Sequence, residues 1–364
     1  MDKLVVFGAG VYQYPLISRA RERGFFVICI SPDGNYPGLK ICDLHLCHDV
    51  RDYKSITQDL KNYDGIAGVC TSGSDVSVYS IGKTCEALGV DCYSPLAGRI
   101  ASDKILMKEF FFKASIITPK SQSIETESEY YNFLKTSKAH KFVIKVPNSS
   151  GSRGVHIIPR TIPISTLLED IKTEFRSEKV LVEEFVTGTE FGAQAIIQEG
   201  QVHAIICHGD ILYSGEHTVP VGHIFPYSVS TLSAQRILIC VKKIIHNLHL
   251  KNGVLNLDLI DSGEDIYIIE FGLRAGATCI PEGISDITGS NFYDTIIDLA
   301  TNKKIIELKM LEGYSSISHL LYSKKTGILD SVDFPLSLPE TIKITDYKID
   351  FSAGDKITKF ETGN

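Results

Sequence analysis

A chain of 364 residues exceeds the roughly 250–300 at which a single hydrophobic core stops growing, so two or three domains are expected. With 43% hydrophobic and 22% charged residues the composition is that of a soluble globular protein. A net charge of −7 argues against a broad nucleic-acid footprint, which needs clustered Lys and Arg.

No apolar run approaches the ~20 residues of a membrane span. The start, MDKLVVFG, lacks the basic segment and cleavage site of an export signal. The expectation is a cytoplasmic protein with no membrane and no nucleic-acid partner. Nine cysteines without a C-x-x-C pair fit reduced thiols better than a disulfide framework.

Residues 3–93 alternate apolar runs (LVVFG, FFVICI, LHLCH, GIAGVC, VDCYS) with helical segments near 12–23, 51–60 and 74–88. That rhythm predicts βαβ units and a parallel sheet. The first turn, VVFGAGVYQYPL, approaches the dinucleotide fingerprint, yet Gln13 stands at the third glycine position. The nearest acid, Asp33, lies past the strand end where a ribose partner belongs. A Rossmann-like strand–turn–helix with an open ligand is therefore expected. Cys42, His45, Cys47 and His48 superficially suggest a metal site, but strand alternation would send neighbouring ligands to opposite faces. The IGKT at 81–84 lacks the earlier glycine of a P-loop and reads as helix.

After SPLAGR comes a helix, SDKILMKEFFFKA, then strands KSQSI, KFVIKV, GVHIIP and KVLVEEFV interleaved with helices near 127–137 and 163–176, a small α+β unit. From Glu190 onward, longer antiparallel strands are predicted, the first two joined at Glu199-Gly200 and the last two at SGE, with a helix near 231–248 between the pairs. Residues 208–228 read as a loop shaping a substrate pocket, with His217 and His223 as binding or acid–base candidates. The ending GDKITKFETGN invites one more strand, so a further tail is expected.

Three stretches carry chemistry. In KFVIKVPNSSGSRGV, Lys145 ends a strand before a loop holding Ser150, Gly151, Ser152 and Gly154; backbone N–H groups beside a lysine suit a polyphosphate. In LVEEFVTGTE, Glu190 suits ribose hydroxyls, while Glu183 and the following backbone, Glu184 and Val186, suit an adenine edge. In NLDLIDSGEDIYIIEFGLRAG, Asp258 and Glu270 share one face of a hairpin if Ile260 lies opposite Ile266. Two such carboxylates repel unless a cation separates them, and Mg²⁺ fits. Arg274 then stands beside the metal, able to neutralise a transferring phosphoryl group.

In this order, these segments resemble the ATP-grasp superfamily, most closely its carboxylate–amine ligases. The resemblance implies a mixed α/β and α+β fold: a Rossmann-like, parallel-sheet preATP-grasp domain at 1–97, a nucleotide-lid subdomain at 98–187, and a large subdomain with C-terminal strands at 188–364. The last two are the α+β halves that grip ATP. It implies that Lys104 and Lys145 contact ATP phosphates, Glu183 and Glu190 the nucleoside, Asp258 and Glu270 Mg²⁺ or Mn²⁺, and Arg274 an acyl phosphate. It places the first glycine turn at the central cleft, near the acceptor, without NAD.

The implied reaction activates a carboxylate with ATP for attack by an amine, releasing ADP and phosphate, with small-molecule substrates and room for a homodimer. The alternatives are a bicarbonate-activating carboxylase and a nucleotide-binding sensor without catalysis. One departure stands out, since EFGLR puts Gly272 and Leu273 where the family often has a metal-binding Asn and a proline.

Overall fold

The computed structural model describes residues 1–149, 153–214, 218–333, 338–347 and 351–360. The first unit is the expected parallel sheet. Strands β1 (Lys3–Phe7), β2 (Phe26–Ser31), β3 (Leu44–Cys47) and β4 (Ile66–Cys70) pair in the order β3-β2-β1-β4. Helices α1 (Tyr14–Glu22), α2 (Tyr53–Leu60) and α3 (Val78–Leu88) connect or follow them. Both sheet faces are apolar, as buried parallel strands require: Leu4 and Val6 pack with α1, Val5 and Phe7 with α2 and α3.

The fifth expected strand, VDCYS, does not form. Residues 90–94 run between two helices instead, because Ser94 already caps α4 (Pro95–Ser102) and the Tyr93 hydroxyl donates to the Val78 carbonyl. IGKT lies within α3. All nine cysteines are unpaired. Cys42 turns toward the core and His48 toward Asp59 at 2.8 Å, so the suspected four do not converge; His45 and Cys47 meet Asp33 at the surface.

Beyond α5 (Lys104–Lys113) a small antiparallel sheet forms from β5 (Ser121–Ile124), β6 (Lys141–Lys145), β7 (Val155–Pro159) and β8 (Val180–Glu184), in the order β5-β8-β6-β7. Helices α6 (Glu127–Lys135) and α7 (Ser165–Phe175) pack on it, and Thr126 and Glu129 close a capping box at the start of α6.

The largest sheet is six-stranded and antiparallel. Its members are β9 (Thr189–Gln198), β10 (Gln201–Ser214), β11 (Thr218–Phe225), β12 (Gly253–Asp261), β13 (Ile266–Gly272) and β14 (Ser316–His319), ordered β13-β12-β9-β10-β11-β14. Strand alternation divides it. Phe191, Ala193, Ala195, Leu255, Leu257 and Leu259 face α5 and α8 (Thr231–Leu248). On the other face Ile196, Ile206, Val254 and Phe225 pack with α9 (Ile280–Thr288), α10 (Phe292–Ala300) and the first unit. Farther along that second face the apolar packing gives way to polar residues. The expected loop at 208–228 is mostly the paired strands β10 and β11, antiparallel from Gly209 opposite Ile224 to Ser214 opposite Thr218, and His217 lies outside the described residues. Among the described residues no helix is long and apolar enough to cross a membrane.

Candidate active site

Asp258 on β12 pairs directly with Glu270 on β13, but not through the expected register. Ile260 lies opposite Tyr267, one residue beyond Ile266, a slip that alone would turn Glu270 toward the apolar core. A β-bulge corrects it. Leu259 pairs with Ile268 and Asp258 with Glu270, so Ile269 is the extra residue, and Phe271 rather than Glu270 faces α8. The bulge has its own support: the Lys108 ammonium donates to the Ile269 carbonyl at 2.8 Å, and Thr118 to that of Ile268 at 2.8 Å.

The two carboxylates titrate apart. Burial and the Glu270 charge push Asp258 well above the usual carboxylate range. Burial also acts on Glu270, but Lys104 and Lys145 outweigh it and hold this carboxyl at about 2. Lys104 lies 3.2 Å from Glu270 and donates to the Ser149 carbonyl at 2.5 Å, tying α5 to the turn after β6.

Glu183 on β8 occupies a different setting. It is 1% exposed, with Lys108 at 2.7 Å on one oxygen and Lys145 at 2.6 Å on the other. Burial would raise its pKa, yet the two ammoniums bring it below the ordinary value. Its carboxylate is thus spent on lysines, and its reach toward a nucleoside runs through them. Burial lowers Lys108 to about 8 against the pull of Glu183. Lys145 is buried too, but Glu183 and Glu270 keep its pKa above that of a free lysine. Lys108 was not singled out in the sequence; its position one helical turn after Lys104, on the same face of α5, was the available signal.

Glu190, exposed on the site face of β9, has its pKa raised by partial desolvation from the surrounding protein and by Asp210. The backbone N–H groups of Glu184 and Phe185 donate to Lys120 and Lys141, and Val186 follows them at the end of β8. Gly154 closes the β6–β7 turn, its carbonyl accepting from Val146 at 3.2 Å. Ser150, Gly151 and Ser152 lie outside the described residues. His223 does reach this region, although as a strand residue: its Nδ1 lies 2.8 Å from Asp210 Oδ1, which also receives His208 Nδ1 at 3.1 Å. His208 and Asp210, both on β10, are further residues that the sequence reading passed over.

Arg274 lies just past β13, 11% exposed at its side chain, and both Asp258 and Glu270 act on its charge. Its partner comes from the first unit: Asp75, in the turn after β4, accepts from Nε at 2.8 Å and from Nη2 at 2.5 Å. The glycine turn is nearby and already filled. Gln13 accepts from the Gly10 N–H through Oε1 at 3.0 Å and donates through Nε2 to the Ser72 carbonyl at 2.5 Å. A Cβ on Gly8 would meet Gln13 Oε1 at 2.7 Å, so this side chain occupies the close approach that a dinucleotide phosphate needs.

Residues 138–282 match the ATP-grasp domain. The large chain of carbamoyl phosphate synthase from Clostridium acetobutylicum is 22% identical over 213 residues, 57% of this chain and 19% of that one. Phosphoribosylamine–glycine ligase from Listeria monocytogenes is 23% identical over 290 residues, covering 75% of this chain and 69% of the relative. This chain therefore spans from about a fifth to about two thirds of the relatives it matches. Among solved structures, phosphoribosylglycinamide synthetase from Anaerococcus prevotii superposes with a TM-score of 0.80 at 26% identity, over 100% of this chain and 91% of its own.

Proposed function

We propose that this chain, which carries an ATP-grasp domain, is an ATP-dependent ligase that activates a carboxylate as an acyl phosphate for attack by an amine. The observation that carries the reading is the directly paired, half-buried Asp258 and Glu270, with Lys104 on one side and Arg274 on the other. The pair fits a divalent cation, because one carboxyl is driven toward its protonated form by burial and by the charges of Glu270 and Asp210, a conflict that a cation removes. Asp258 and Glu270 would hold Mg²⁺ or Mn²⁺, which when bound neutralises charge between phosphate oxygens.

The chain's own residues do the positioning. Lys104 and Lys145 neutralise the phosphates, and Glu183 and Lys108 fix where Lys145 points. Glu190, with Glu184 and Val186, faces the nucleoside. Arg274 stabilises the phosphoryl group as it passes to a carboxylate oxygen; the amine nitrogen then bonds to the acyl carbon, the carbon–oxygen bond to phosphate breaks, and phosphate leaves. The small sheet and the six-stranded sheet act as the two halves of the grip, with the first unit presenting the acceptor.

A coupled ADP-release screen over pairs of amino acids, small peptides and sugar acids tests the reading, with a bicarbonate arm for the carboxylase alternative. ADP and phosphate released only when acid and amine are both present is the expected result. Release that depends on bicarbonate alone favours the carboxylase, and nucleotide binding without turnover on any pair favours a sensor.

A further inference from the structure

Arg274 is held from outside its own domain. Of the five N–H donors on its guanidinium, Nε and Nη2 each give one to Asp75, and Nη1 gives one to the Ala275 carbonyl at 3.2 Å. Among the described residues two have no partner, one on each terminal nitrogen. The bidentate pairing fixes the plane of the group, which a single contact would not.

The turn carrying Asp75 is itself anchored on the strand end beside Arg274. Ser72 forms a parallel bridge with Ala275, and the Gly73 N–H donates to the Ala275 carbonyl at 3.0 Å. Gln13 grips the Ser72 carbonyl, and the Thr71 hydroxyl donates to Phe7 at 2.7 Å, so this turn is tied to the glycine turn of the first sheet.

Gly272 completes the arrangement. A Cβ at this position would stand 2.7 Å from Asp75 Oδ1 and 3.4 Å from Arg274 Nε. Any side chain there displaces the carboxylate or the guanidinium. The departure from a side-chain-bearing residue at 272 thus has a local physical reason: the carboxylate of Asp75 fills that volume.

We propose that Asp75 is a positioning residue for Arg274, delivered by the first unit, and that Gly272 is the space that admits it. The inference rests on the reading of Arg274 as the group that stabilises the transferring phosphoryl. Asp75 touches no reacting atom; it keeps the two free N–H donors of Arg274 aimed before the nucleotide arrives, so that no reorganisation is needed when charge develops.

The test needs no knowledge of the substrates. ADP with magnesium and aluminium fluoride mimics a phosphoryl group in flight, and its affinity is compared with that of magnesium and ADP alone by calorimetry. The wild-type protein should prefer the fluoride complex, and Asp75→Asn should lose ~10–100-fold of that preference while ADP affinity stays unchanged. Gly272→Ala should show the same pattern, with thermal unfolding confirming that both variants fold. A merely structural contact would lower both affinities together and leave their ratio intact. An unchanged ratio in both variants overturns the proposal. A wild-type protein that shows no preference at all instead overturns the role given to Arg274.

Discussion

The two carboxylate clusters of the cleft, one buried and one half-buried, share Lys145 and differ in charge balance. Glu183 lies between two lysines, Lys108 and Lys145, and each of its oxygens has a cation within 2.7 Å. Asp258 and Glu270 face each other with one lysine, Lys104, at 3.2 Å from Glu270. The first cluster is complete in the protein alone, whereas in the second Arg274 acts on Asp258 but is itself paired with Asp75, and the Asp258 carboxyl stays well above its usual range. A closed cluster serves as a strut. An open one of this kind is where an incoming cation gains most, because it relieves the repulsion of two carboxylates that the fold already holds opposite one another.

The contrast breaks first at Glu270. Glu270→Gln should reduce turnover by ~10³-fold or more, since losing a ligand should exceed the 10–100-fold cost of an outer-shell partner. The fold should survive, because the change also removes one of two repelling charges; an active, folded variant would remove Glu270 from the metal pair. Glu183→Gln should do the opposite. It strands two buried ammoniums and should cost about 3–5 kcal/mol of stability, measured by urea unfolding. A variant as stable as the parent would mean that the lysines find water or another partner, and that the cluster is no strut.

Lys145 belongs to both clusters and should show a mixed result. Lys145→Ala removes a charge-assisted phosphate contact, so ATP affinity should fall ~10–100-fold by calorimetry. Its stability loss should be smaller than that of Glu183→Gln, since Lys108 still pairs with Glu183. Unchanged ATP binding would confine Lys145 to the strut.

The same contrast explains what could be read from the sequence. Glycine turns, apolar runs and strand alternation are local signals, so the parallel sheet, the small sheet and the hairpin of Asp258 and Glu270 were legible. The bulge at Ile269 was not, because nothing in IYIIEFG marks which residue is extra; Lys108 and Thr118, more than 140 residues earlier, stabilise it. VDCYS has strand composition but is consumed in joining two helices. Residues 208–228 carry Gly and Pro that suggest a loop, yet antiparallel pairing with β9 and β14 overrides that local preference. Asp75 lies 199 positions from Arg274, and no local pattern connects the two.

The smallest effect concerns Lys108, whose pKa separates a saturated strut from an overcharged one. Burial brings it to about 8 in the folded protein, below the 10.5 of a free lysine. Between those values the unfolded chain binds more protons than the native one, so stability on this residue's account rises with pH across the window. Below about 8 both states hold the proton, and the full cost of keeping the ammonium buried is present. Lys108→Met lacks this contribution, while Lys145, with its raised pKa, keeps Glu183 paired in both proteins. Urea midpoints for parent and variant at pH 7.5 and pH 10 should therefore diverge in favour of the parent as pH rises, by at most about 3 kcal/mol. A shift against the parent would mean that Glu183 holds Lys108 charged more strongly than burial opposes it. The lysine would then have a raised pKa, and the strut would need both of its cations rather than tolerate the second.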